Sequence, residues 1–290
     1  MTLRAISGLQ EIASAFDGFI LDLWGLVHDG ERPYPRAAET LRALKAAGKK
    51  TLLLSNAPRR AHALIAAMAG MGIGRDLYGE VLSSGEATRE ALIRRDDPFF
   101  AALGRAAYHL GPERDRSVFE DTGLTIVSDL GAADFIVNTG PISLDEKVED
   151  YLAVLEPAAQ RNMPMVCANP DLVVIRAGRP IVCAGAIAAR YREMGGKVAL
   201  RGKPDPEIYR LAVERLGVSD MSRVAVAGDA LETDVKGARA SGLASVWCTG
   251  GIHAAELGIV YGQVADPARA EALALKEGQM PTYMIAGFVW

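Results

Sequence analysis

Four short apolar runs, each closing on polar or small residues, constrain this 290-residue chain more than any other feature. Phe19-Ile20-Leu21 leads into Asp22, and Thr51-Leu52-Leu53-Leu54 into Ser55-Asn56. Val224-Ala225-Val226-Ala227 leads into Gly228-Asp229, and Ala244-Ser245-Val246-Trp247 into Cys248-Thr249-Gly250. Continuous runs of this length fit strands covered on both faces. Helical patterns lie between them. Ala37 to Ala47 puts Leu41 and Leu44 on one face and ends at Gly48, while Asp205 can cap a helix that opens on Pro206 and stops at Gly217. This alternation predicts an α/β fold with a Rossmann-like parallel-sheet core. In such sheets the site lies outside the carboxyl ends of the strands, so these polar ends face one crevice.

The stretch 84–195 interrupts the series with strand-like runs of its own, Phe135-Ile136-Val137-Asn138 and Met165-Val166-Cys167, and helix-like runs from Val148 to Ala159 and Ala186 to Met194. We expect it to be a second α/β domain inserted into a core made of 1–83 plus 196–290. Half of the residues are hydrophobic and 23% charged, which suits a globular chain. A net charge of -4 gives no electrostatic reason to expect nucleic acid or an anionic membrane as partner. No stretch approaches the roughly 18 uncharged apolar residues of a membrane helix. Met1-Thr2-Leu3-Arg4 followed by Glu11 is no cleavable signal. The three cysteines lack a CxxC spacing and read as buried small hydrophobes in a reducing compartment. The expectation is a soluble, cytoplasmic protein; its oligomeric state stays open, a homo-oligomer included.

Each polar strand end has a chemical and a structural reading. Asp22 can attack phosphorus as a carboxylate nucleophile, or serve as a turn or helix cap. Ser55 and Asn56 offer a hydroxyl and backbone N–H groups to phosphate oxygens, or cap the helix beginning near Pro58. Lys203, in Arg201-Gly202-Lys203-Pro204-Asp205-Pro206, can neutralise both Asp22 and a phosphate, or be a solvated loop lysine. Asp229 and Asp234, five positions apart at a helix start, suit a hard cation that takes oxygen ligands, or are ordinary first-turn acids.

Taken in order, Asp22, Ser55, Lys203 and the stretch from Gly228-Asp229 to Thr233-Asp234 resemble the four motifs of the haloacid dehalogenase-like superfamily. The insertion between the second and third resembles the large α/β cap (C2 type) of its class II. Asp22-Leu23-Trp24-Gly25 with Gly30, Leu54-Ser55-Asn56, Ala168-Asn169-Pro170-Asp171 and Gly202-Lys203-Pro204 are most similar to the subclass of 4-nitrophenyl-phosphatase-like and nucleotide or sugar phosphatases. The resemblance spans about Phe16 to Trp247. It implies a Mg²⁺-dependent phosphatase acting on a small phosphorylated metabolite through an aspartyl-phosphate. Asp22 would be nucleophile and metal ligand, Ser55, Asn56 and Lys203 would hold the phosphate, and Asp229 and Asp234 would serve the metal. Asn169, Asp171 and Arg176 would lie on the active-site side of the cap and reach the substrate.

One position departs from that pattern. Phosphatases of the superfamily usually carry a second Asp two residues after the nucleophile as general acid and base, and here that residue is Trp24. Its carbonyl can ligate Mg²⁺, but indole cannot transfer a proton at neutral pH. His28 is a candidate substitute acid, or simply a hydrogen-bonded histidine after a strand. The alternative function is a phosphate- or metabolite-binding pseudo-phosphatase, or a phosphotransferase, with little hydrolysis. Non-phosphate chemistry such as dehalogenation is disfavoured, because it would have no use for the metal that Asp229 and Asp234 suggest.

Overall fold

The structure, a computed structural model, describes residues 3–176 and 179–290. The chain divides into two compact units. One comprises Met1–Ser55, Leu64–Leu82 and Lys203–Trp290, the other Asn56–Ala63 and Ser83–Gly202.

The first unit is built on a seven-stranded sheet. Its spatial order is Arg4–Ala5, Tyr283–Ile285, Ala244–Cys248, Val224–Gly228, Gly18–Asp22, Lys50–Ser55 and Glu80–Ser83. The pairings from Arg4–Ala5 across to Lys50–Ser55 are parallel. Register explains why the polar ends gather. Asp22 pairs with Leu54 and Leu21 with Ala227, which leaves Asp22, Ser55 and Asp229 within one residue of the same sheet edge. Phe19, Ile20, Leu21, Leu52 and Leu53 are fully buried, as strands covered on both faces require. The two marked helices form where expected. Ala37–Ala46 buries Leu41 and Leu44, and Pro206–Leu216 is capped by the Asp205 side chain, which accepts from the Glu207 N–H. Gly217 then ends the second helix at φ 66°, a conformation glycine adopts without cost.

The second unit has a five-stranded parallel sheet in the order Val198–Leu200, Met165–Cys167, Phe135–Asn138, Ala106–Leu110 and Thr125–Val127. Successive residues of one strand serve opposite cores. Ile136 and Met165 pack with Leu155, Ile187 and Tyr191, whereas Phe135, Val137 and Val166 pack with Leu92, Phe100 and Val118. That two-faced burial follows from the two-residue period of a strand. An antiparallel hairpin pairs Val173–Arg176 with Arg179–Val182. All three cysteines are reduced and buried.

Candidate active site

In the first unit three carboxylates from two strand ends and one helix start converge. Asp22, Asp229 and Asp234 each offer an oxygen, and these atoms lie within 4.8 Å of one another. All three residues are buried. Lys203 is buried with them, and its Nζ donates to Asp22 Oδ1 and, at 2.7 Å, to Asp234 Oδ1. One ammonium among three carboxylates leaves more acidic than basic groups in a buried crevice. An all-oxygen donor set suits a hard divalent cation.

The positions of these groups are set by backbone that admits no larger side chain. Gly25, at φ 94°, has no room for a Cβ, which would stand 2.6 Å from Asp229 Oδ1; one on Gly251 would lie 2.6 Å from Asp229 Cγ. Between them the Asp229 carboxylate accepts from the Ile252 N–H at 2.6 Å. Its carbonyl accepts from the Trp247 indole N–H at 2.9 Å. Asp234 sits in a π-helical turn, Leu231–Val235, and its carboxylate accepts from the Ala230 N–H at 3.2 Å. Such turns are rare and recur at functional sites, because the extra residue re-aims a side chain. The Tyr209 hydroxyl donates to the Thr233 carbonyl at 3.1 Å and braces the turn.

Burial is the largest influence on the Asp22 carboxyl and pushes it well above the usual carboxylate range. The Lys203 ammonium opposes this, while the like charges of Asp234 and Asp229 add to it. These surroundings therefore penalise ionised Asp22, and a cation held among the three carboxylates would reverse that balance.

Trp24 is half-buried, with its indole edge-on to the His28 ring at a centroid distance of 5.8 Å. The indole covers Gly30, where a Cβ would run into it. His28 Nδ1 accepts from the Gly30 N–H at 3.0 Å, and burial pushes its pKa down to about 4. At neutral pH the ring is uncharged, so its proton stands on Nε2. Ser55 is buried at the end of its strand.

The second unit brings Asn56, Ser84, Asn169 and Asp171 together. Asn56 Nδ2 donates to Asp171 Oδ1 at 2.7 Å, and Asn56 Oδ1 accepts from the Ser84 hydroxyl at 3.0 Å. Asn169 Oδ1 accepts from the Asp171 N–H at 3.0 Å. Gly202 packs on the same group, for a Cβ there would stand 2.6 Å from Asn56 Oδ1. The Asn56 carboxamide is thus engaged on both its atoms. Arg176 is half-buried at the end of a hairpin strand. The sequence alone did not mark Trp247, Ser84, Tyr209 or Gly251; of the close-packed glycines, Gly25 and Gly202 stood in the motifs.

Two family models match the chain, one described as haloacid dehalogenase-like hydrolase over residues 19–125 and one as HAD-hydrolase-like over residues 200–268. The chain is 32% identical to a solved hydrolase of the haloacid dehalogenase-like family from Brucella suis, covering 98% of this chain and all of that one with a TM-score of 0.83. Among curated relatives, chronophin from Rattus norvegicus is 28% identical over 88% of this chain and 83% of its own length. D-glycerol 3-phosphate phosphatase from Mycobacterium tuberculosis is 28% identical over 85% of this chain and 67% of its own length.

Proposed function

The chain belongs to the haloacid dehalogenase-like hydrolase family, and from that premise we propose that it is a Mg²⁺-dependent phosphatase of a small phosphorylated metabolite, with Asp22 as nucleophile. The observation that carries this reading is the buried cluster of Asp22, Asp229 and Asp234 around Lys203. A phosphatase of D-glycerol 3-phosphate among the relatives supports the substrate class.

Asp22, the Trp24 carbonyl, Asp229 and Asp234 are the groups that would hold Mg²⁺, which supplies positive charge to the phosphoryl group and to the carboxylate attacking it. An Asp22 oxygen forms a bond to phosphorus while the bond from phosphorus to the leaving oxygen breaks, and that oxygen departs with the electron pair. Lys203 keeps a fixed positive charge beside Asp22 throughout. The Ser55 hydroxyl and the Asn56 N–H donate to phosphoryl oxygens. Water then attacks the aspartyl-phosphate, releasing phosphate and restoring the carboxylate.

The deciding experiment is a phosphate-release screen over phosphorylated metabolites with and without Mg²⁺. Release that needs the cation and stops with EDTA is the expected result; metal-independent turnover would overturn the reading. Trp24 favours a second reading, a phosphate-binding protein with little hydrolysis, for which the screen would return binding without release.

Asn169, Asp171 and Arg176 are proposed as residues that tune substrate choice, with different side effects. Arg176→Ala should change the KM ratio between substrates and leave the thermal midpoint in place. Asp171→Ala removes the acceptor of the buried Asn56 carboxamide and should cost about 1–3 kcal/mol of stability as well. Paired thermal melts and KM measurements check this; equal stability losses in the two variants would count against it.

A further inference from the structure

The first unit carries a second charged cavity, at the opposite end of the strand that finishes on Ser55. Its volume is about 510 Å³, and five cations line it (Lys45, Lys49, Lys50, Arg75 and Arg215) against two acids, Asp76 and Glu80. Lys50 begins the strand Lys50–Ser55, so the cavity is separated from the carboxylate cluster by the length of a six-residue strand, roughly 20 Å.

Backbone carbonyls hold four of the cationic head groups in place. Lys45 Nζ donates to the Asp76 carbonyl at 2.6 Å, Lys49 Nζ to that of Phe16 at 2.8 Å, and Arg75 Nη1 to that of Tyr78 at 2.7 Å. Lys50 Nζ donates to the Gly217 carbonyl. A carbonyl fixes an ammonium without neutralising it, and each ammonium has three N–H donors. Among the described residues no carboxylate lies within 4.0 Å of these four head groups.

Helix ends account for part of this charge. Lys45 and Arg215 stand in the last turns of Ala37–Ala46 and Pro206–Leu216, where cations complement the helix dipole, and Lys50 caps the second helix through Gly217. That does not explain Lys49, Arg75 or Tyr78. Tyr78 lines the cavity, is 6% exposed, and its hydroxyl is buried without a hydrogen-bond partner. The Arg75 guanidinium lies 5.1 Å above its ring. That hydroxyl has no accessible surface, so Tyr78 meets the cavity with its ring, under the Arg75 guanidinium, and not with a donor.

We propose that this cavity is a binding site for a small polyanion carrying two or more phosphoryl groups. Donors converge on it from three separate segments of chain, which matches an anion whose oxygens point several ways better than a single carboxylate. The site is independent of the phosphatase reading, since it shares no residue with the carboxylate cluster.

Isothermal titration of the full-length, metal-free protein with sodium tripolyphosphate tests the assignment. One site per chain is expected, with an affinity that falls as salt is added. Lys45→Gln and Arg75→Gln should each weaken binding about tenfold, the factor carried by one charge-assisted hydrogen bond. Tyr78→Phe changes only the inaccessible hydroxyl and should bind as the parent does. Asp22→Asn should bind as the parent does. The proposal fails if no binding is seen at millimolar tripolyphosphate. It fails equally if Lys45→Gln and Arg75→Gln, both folded by their midpoints, bind unchanged, or if Asp22→Asn loses the binding instead. Should Arg75→Gln not fold, the exposed Lys45 decides the matter.

Discussion

Asp22→Asn is expected to lower kcat by at least about 10⁴-fold, the scale on which enzymes lose turnover when a covalent nucleophile is removed. The carboxamide keeps the shape of the side chain and removes its nucleophilic anion. Stability should move differently. Burial and two like-charged neighbours disfavour the Asp22 anion, and Lys203 keeps its 2.7 Å bond to Asp234 when Asp22 is neutral. The thermal midpoint in EDTA is therefore expected to hold or rise, as is common where a site is built from crowded charges. Mg²⁺ should raise the midpoint of the parent more than that of the variant, because one ligand charge is gone. Turnover that survived Asp22→Asn would remove the aspartyl-phosphate from the mechanism. A collapsed midpoint would show Asp22 to be a structural partner of Lys203 instead.

The second large effect concerns the leaving group. With Trp24 two residues after Asp22, the proposed nucleophile, no carboxyl stands there to protonate the departing oxygen. His28 is uncharged at neutral pH. Rates should thus fall steeply as the pKa of the leaving alcohol rises, and aryl or acyl phosphates should exceed alkyl phosphates. General acid assistance is worth about 10²–10⁴-fold, or roughly 3–5 kcal/mol of barrier. Trp24→Asp should recover part of that on alkyl phosphates, since it restores a carboxyl. The indole also covers Gly30 and stacks edge-on with His28, so the smaller side chain leaves a gap; a thermal melt separates a folded variant from a collapsed one. A flat dependence on leaving-group pKa in the parent would point to another proton donor, with His28 the first to replace.

The fold was legible because its strongest signals are local. Unbroken apolar runs at Phe19–Leu21 and Val224–Ala227 fit buried strands, and their polar ends reach one edge because the strands pair parallel and in register. The edge strand Arg4–Ala5 and its neighbour Tyr283–Ile285 were invisible, being too short to show a period. Asp22, Lys203, Asp229 and Asp234 stood out as polar residues at the ends of such runs, and the structure places them in one cluster. The Asn56 side chain meets Asp171, 115 positions away, and no local pattern encodes a hydrogen bond of that span. The Trp247 indole was likewise counted as a strand residue, because its bond to the Asp229 carbonyl appears only once two strands lie side by side.

The order of strands in the first sheet also sets a timetable for synthesis. Gly18–Asp22 lies between Lys50–Ser55, which follows it closely, and Val224–Gly228, which the ribosome makes about 200 residues later. At about 5–20 residues per second that neighbour is absent for roughly 10–40 s. The run Ser83–Gly202 is continuous and emerges in that interval, so its own sheet can close first. Until then the apolar flank of Gly18–Asp22 is an open template for pairing with another nascent chain, the hazard that any unpaired strand carries. Asp229 and Asp234 arrive with the missing strand and the turn after it, so the chain acquires its acidic cluster only after most of its length has been made.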